Sequence, residues 1–107
     1  MKIYIAGPIS GQRFYKEKFA RAEADLKAAG WEVLNPAANE GPEYRDYIDQ
    51  GLLQLMQCDA IYLLRGHVGS AGALLEQRYA FTVEMPIYFQ VEGVPKPGSG
   101  TRFRKRP

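Results

Sequence analysis

Val68-Gly69-Ser70-Ala71-Gly72-Ala73-Leu74-Leu75-Glu76-Gln77-Arg78-Tyr79-Ala80 joins small residues suited to a strand-to-helix turn to a helical run with one acid inside it. At helical spacing Gly72, Ala73, Glu76, Ala80 and Val83 share a face. That face is apolar and mostly small, so it can pack tightly on a sheet. Glu76 is its one charge. A carboxylate taken out of water costs free energy unless something pairs or uses it. Two readings follow: an acid at the edge of a packing stripe, or a group belonging to a ligand site.

The flanks extend this strand-turn-helix unit in both directions. Asp59-Ala60-Ile61-Tyr62-Leu63-Leu64 precedes it as an apolar strand, and Arg65 to Ser70 is the loop between. Pro86-Ile87-Tyr88-Phe89-Gln90 follows as another strand, with proline at the first position, where it is tolerated. At the start of the chain Lys2-Ile3-Tyr4-Ile5-Ala6 has the nearly unbroken apolar character of a central parallel strand. Gly7-Pro8-Ile9-Ser10-Gly11-Gln12-Arg13 is then a turn, in which Ser10 or Gly11 is expected to cap the next helix. Tyr15, Phe19, Ala22, Leu26 and Ala29 step along that helix, and Gly30 ends it. Trp31 to Asn35 is a strand, Pro36 to Pro42 a loop, and Tyr44 to Gln57 a helix with Ile48, Leu52 and Leu55 inside.

The alternation predicts an α/β domain with a parallel sheet and right-handed crossovers. In such a sheet a ligand sits beyond the carboxyl ends of the strands. The loops at that end are 7–13, 36–43 and 65–71. Residues 1–92 form this domain; 93–107 form a Pro/Gly-rich basic tail holding Arg102, Arg104, Lys105 and Arg106, read either as solvated and largely disordered or as an arm that packs on a partner subunit or binds phosphates by charge.

The 107 residues suit one domain, and a net charge of only +2 gives no overall field for nucleic acid, so no nucleic-acid partner is expected. The single cysteine, Cys58, excludes an intrachain disulfide and reads as packing. No apolar run spans a membrane, and the chain opens on a strand rather than a leader, so a cytoplasmic protein is expected. No His, Cys or carboxylate pair has ligand spacing, so neither a metal nor a cofactor is expected.

The chemistry concentrates in two corners. Gly7-x-x-Ser10-Gly11 lies between a strand and a helix, and Ser70-Ala71-Gly72 opens the helix bearing Glu76. Two such helix N-termini facing one cleft favour a phosphate or carboxylate ligand, while either loop alone also reads as plain turn chemistry. Neither is a GxGxxG or Walker A motif. A carboxylate beside them can displace a leaving group at an anomeric carbon. Tyr4 on the first strand can aim its hydroxyl at that carboxylate, or be a core aromatic with a polar tip. His67, the single histidine, sits in the loop before Glu76's helix and is either exposed or in contact with substrate.

Lys2 to Arg13 and Ser70 to Ala80 together resemble the nucleoside 2-deoxyribosyltransferase superfamily. The nearer likeness is to its short, often phage-encoded members of unassigned function, and the chain is also similar to the 2'-deoxynucleoside 5'-phosphate N-hydrolase branch. The resemblance covers about residues 1 to 90. It implies a flavodoxin-like, Rossmann-like three-layer fold with four to five parallel strands. It also implies a homodimer or higher homo-oligomer and a nucleoside or nucleotide substrate. Glu76 matches the nucleophile at C1' and Tyr4 the tyrosine that positions it. Ser70 and Gly72 match the turn at the substrate's 5' end, and Gly7, Pro8, Ile9, Ser10, Gly11 and Arg13 match the loop over sugar and phosphate.

One position departs. The superfamily carries an aspartate on the second helix eight residues before the Asp that opens strand three; here that position is Gly51. Asp49 is two residues away, rotated by ~200°. Tyr44 and Tyr47 share Gly51's side and can reach into the gap. A helical glycine costs ~1 kcal/mol relative to alanine, so either space is wanted there or the site has drifted. The resemblance thus implies N-glycosidic bond cleavage or deoxyribosyl transfer, with a catalytically weakened nucleotide-binding or sequestering protein as the alternative.

Overall fold

A computed structural model describes residues 1–98. Strand β1 (Lys2–Ala6) leads to helix α1 (Tyr15–Ala28), then β2 (Glu32–Leu34), α2 (Tyr44–Leu55), β3 (Ala60–Leu63), α3 (Ala71–Thr82) and β4 (Ile87–Phe89). All strands pair in parallel, in the order β2-β1-β3-β4. This is the doubly wound order of flavodoxin-like sheets, whose switch point lies between β1 and β3. The sheet has four strands, the lower of the two numbers expected.

Alternation along β1 builds the three layers. Ile3 and Ile5 pack with Phe19, Ala22 and Leu26 of α1, while Tyr4 and Ala6 face the other way, toward Leu55 of α2 and Ala73 and Ala80 of α3. Both faces of β1 are covered, which explains its unbroken apolar run. Cys58 is buried, and its thiol donates to the Gln54 carbonyl. Burial pushes that thiol up to about 11, as suits a packing cysteine.

Several expectations need correction. Neither Ser10 nor Gly11 caps α1, which begins at Tyr15 after Phe14 with no side-chain cap. Gly11 instead supplies a left-handed backbone, φ 74°, in the turn closed by Gln12 N–H on the Ile9 carbonyl. Val83 leaves the small-residue face because α3 ends at Thr82 and Val83 is exposed. The segment from residue 93 is largely exposed but touches the body at two prolines. Trp31 Nε1–H donates to the Pro95 carbonyl at 2.8 Å, and Gly30, at φ 106°, lies under Pro97. The basic cluster from Arg102 to Arg106 lies outside the described residues. No helix among the described residues is long and apolar enough to cross a membrane.

Candidate active site

Ser70 starts α3. Its Oγ accepts the Ala73 N–H at 3.1 Å, which satisfies one of the unpaired donors of the first turn. That start fixes the phase of the helix, so Ala73, Glu76 and Ala80 fall on the buried side. Glu76 is only 8% exposed, the one charged residue in the buried set of the described chain. Tyr4 reaches it from β1: its hydroxyl donates to Glu76 Oε2 at 2.7 Å. The two residues are 72 positions apart in the chain and meet because β1 and α3 flank the switch point.

Burial pushes the Glu76 carboxyl up to about 7, and the Tyr4 hydrogen bond pulls in the opposite direction with smaller effect. Burial and the neighbouring Glu76 charge raise the Tyr4 phenol. Tyr4 therefore stays protonated and serves as a donor, while Glu76 changes charge near neutrality.

The pair faces a cleft of about 410 Å³. Its floor is Tyr4, Gly7, Ala73 and Glu76; its walls include Ser10, Tyr15, Tyr44, Tyr47, Ile48 and Ser70. The volume suits a small molecule, and aromatic walls with a few convergent polar groups are the usual makeup of such sites. The 36–43 loop closes one side through Pro36, Asn39, Gly41, Pro42 and Glu43. Asn39 Nδ2 donates to Gln54 Oε1 at 2.8 Å, and the Gln50 amide donates to the Glu40 carbonyl, so α2 holds that loop. Of the charged groups in the lining, both Glu43 and Glu76 are acids.

Residues 1–89 match the family described as a domain of unknown function, DUF4406. The chain belongs to that family. A comparison with curated proteins found no match. Among solved structures, the DUF4406 chain is similar to the 2-deoxyribosyltransferase from the psychrotolerant bacterium Bacillus psychrosaccharolyticus, described as a biocatalyst for nucleoside synthesis. The TM-score is 0.67 and the identity 20%, over 83% of this chain and 71% of that one. At this identity the likeness is one of fold. It agrees with the deoxyribosyltransferase-like, flavodoxin-like architecture expected from the sequence.

The DUF4406 chain brings together Tyr4, Gly7, Ile9, Ser10, Tyr47, Ser70, Gly72 and Glu76 of the residues singled out above. Pro8, Gly11, Arg13, Gly51 and His67 fall outside the lining of the cleft. Pro8 packs toward Gly66, and Arg13 is exposed with its guanidinium over the Phe14 ring at 5.7 Å. His67 turns away because its Nδ1 lies 3.1 Å from the Leu64 carbonyl and its ring meets Phe89 at 5.7 Å. Gly51 lies behind the Tyr4–Glu76 pair rather than in the cleft.

Asn39, Glu43 and Tyr15 are not among the site residues expected from the sequence. The 36–43 loop was legible as lying at the ligand end of the sheet, and Tyr44 as sharing Gly51's side of α2. Nothing in sequence spacing placed Tyr15, at the first turn of α1, on the same cleft. Gly72 has a packing role: a Cβ there would meet Ile48 Cδ1 at 3.0 Å, so its absence lets α3 approach α2.

Proposed function

We propose that this cleft binds a nucleoside and that Glu76 cleaves or exchanges its N-glycosidic bond. The observation that carries the reading is the buried Glu76 carboxyl, held by Tyr4 at 2.7 Å and facing a cleft of nucleoside size. A Glu76 oxygen attacks C1' of the deoxyribose. The C1'–N bond breaks, and its electron pair leaves with the base, which takes a proton from water. The resulting glycosyl ester is then attacked at C1' by water, or by a nitrogen of a second base, and Glu76 departs as a carboxylate. The Tyr4 hydroxyl positions the attacking carboxylate and favours its charged form.

Glu43 and Glu76 as the charged groups of the lining favour an unphosphorylated sugar over a 5'-phosphate. The tyrosine walls suit stacking of a base. Exposed Leu53 on α2 and Met56 just after it, with Leu74 and Leu75 on α3, support self-association of the chain.

The test is incubation with deoxynucleosides and their 5'-monophosphates, with free base followed by chromatography. Base release that is lost in Glu76→Gln and Glu76→Ala supports the reading; release that persists in both overturns it. A second reading is a nucleoside-binding protein without turnover, favoured by Gly51 in place of an acid. It predicts no release together with a rise in Tm on adding nucleoside.

A further inference from the structure

Gly51 and Leu55 are the buried residues of α2. A Cβ built on Gly51 would lie 2.5 Å from Glu76 Oε2 and 2.7 Å from Tyr4 Oη, well inside contact distance for both atoms. The Tyr4 ring is 1% exposed in the sheet core and has nowhere to go. With α2 where it stands, a side chain at position 51 meets the Glu76 carboxylate and displaces it from the Tyr4 hydroxyl, since the carboxylate is the more mobile of the two groups. The remaining acids of α2 do not take over: Asp49 is exposed and paired with Arg45 at 3.5 Å, and the Asp46 carboxylate accepts the Glu43 N–H at 3.0 Å.

From this geometry we infer that Gly51 is a positioning residue for Glu76. The missing side chain is the seat in which the carboxylate rests on Tyr4, and an acid placed there unseats the working carboxylate instead of adding a second one. A glycine read as an eroded acid position predicts the reverse. An aspartate at 51 would also set like charge against Glu76. For its effect on activity the inference rests on the function proposed above; for its effect on the Tyr4–Glu76 pair it does not.

The two are separated by a thermal cycle on the full chain. Alanine is favoured over glycine inside a helix, so Gly51→Ala raises Tm unless the pair opposes it. The expected result is a fall of several degrees in the wild-type background and a rise, or no change, in Tyr4→Phe/Glu76→Ala, where both facing oxygens are gone. A rise in the wild type, or the same fall in both backgrounds, overturns the inference. If the double background does not fold, the Glu76 titration decides in its place.

The Glu76 titration gives a readout that a purely structural role would not move. It is taken as the Tm difference between each protein and its Glu76→Gln counterpart across about pH 4 to 9. Its midpoint is expected to move by at least about half a pH unit in Gly51→Ala and to stay in place in Leu53→Ala, on the exposed side of α2. An unmoved midpoint in Gly51→Ala counts against the inference. Gly51→Asp is expected to lower base release at least tenfold; a tenfold gain overturns the inference. Absence of release from the wild type would remove the proposed activity, while the thermal cycle and titration still decide the role of Gly51.

Discussion

At Glu76 the folded chain binds a proton more tightly than the unfolded chain, because burial raises its carboxyl from 4.5 to about 7. Below the unfolded value both states are protonated and the group has no effect on stability. Between the two values the unfolded chain has released the proton that the folded chain keeps, so stability falls as pH rises, and the loss is complete above the folded value. At about 1.4 kcal/mol per pH unit the full loss is about 3 kcal/mol. Glu76→Gln is therefore expected to be more stable than the wild type at pH 8 by up to that amount and to match it at pH 4, as measured by urea denaturation. Tyr4→Phe removes the donor that favours the charged form. Its Glu76 midpoint is expected to rise by about one pH unit, the scale of a hydrogen bond to a charged group. Base release by Tyr4→Phe would then be weaker at pH 7 than at pH 9, relative to the wild type. A pH profile unchanged in shape would count against the role given to Tyr4.

At the scale of elements, the start of α3 decides where Glu76 points. Ser70→Ala removes the Ala73 cap and is expected to cost about 1 kcal/mol in chemical denaturation. It also removes a hydroxyl from the cleft wall. The threonine variant keeps the cap and should recover most of that stability. Periodicity made α3, its inward acid and its strand-facing residues legible because a helix repeats locally. The start of α1 was misjudged because Ser10 and Gly11 have cap chemistry, while backbone geometry at a tight turn delayed the helix to Tyr15. The position of His67 likewise depends on local backbone geometry. Its loop stands at the right end of the sheet, but the one-turn helix at His67–Gly69 aims the ring at Phe89.

Across the whole molecule, the segment after β4 returns to cover Trp31. A chain ending at Glu92 is expected to be less stable than one ending at Gly98 by about 1 kcal/mol or more, and to melt at a lower temperature, since the Trp31 N–H loses its acceptor and its cover. Equal melting temperatures would show that this contact adds nothing. Self-association through the apolar side chains of α2 and α3 is expected to appear in sedimentation as a dimer or larger species. Leu53→Asp with Leu74→Asp should shift it toward the monomer.

The sequence alone determined the order of strands and helices, the parallel sheet and the end at which a cleft would open, because hydrophobic period and turn chemistry are local properties of the chain. It also singled out Glu76 and Tyr4. The meaning of Gly51 was decided by tertiary structure alone. Which atoms a missing side chain leaves room for depends on three elements distant in sequence, and no spacing records that α2 passes within contact of an oxygen on β1 and another on α3.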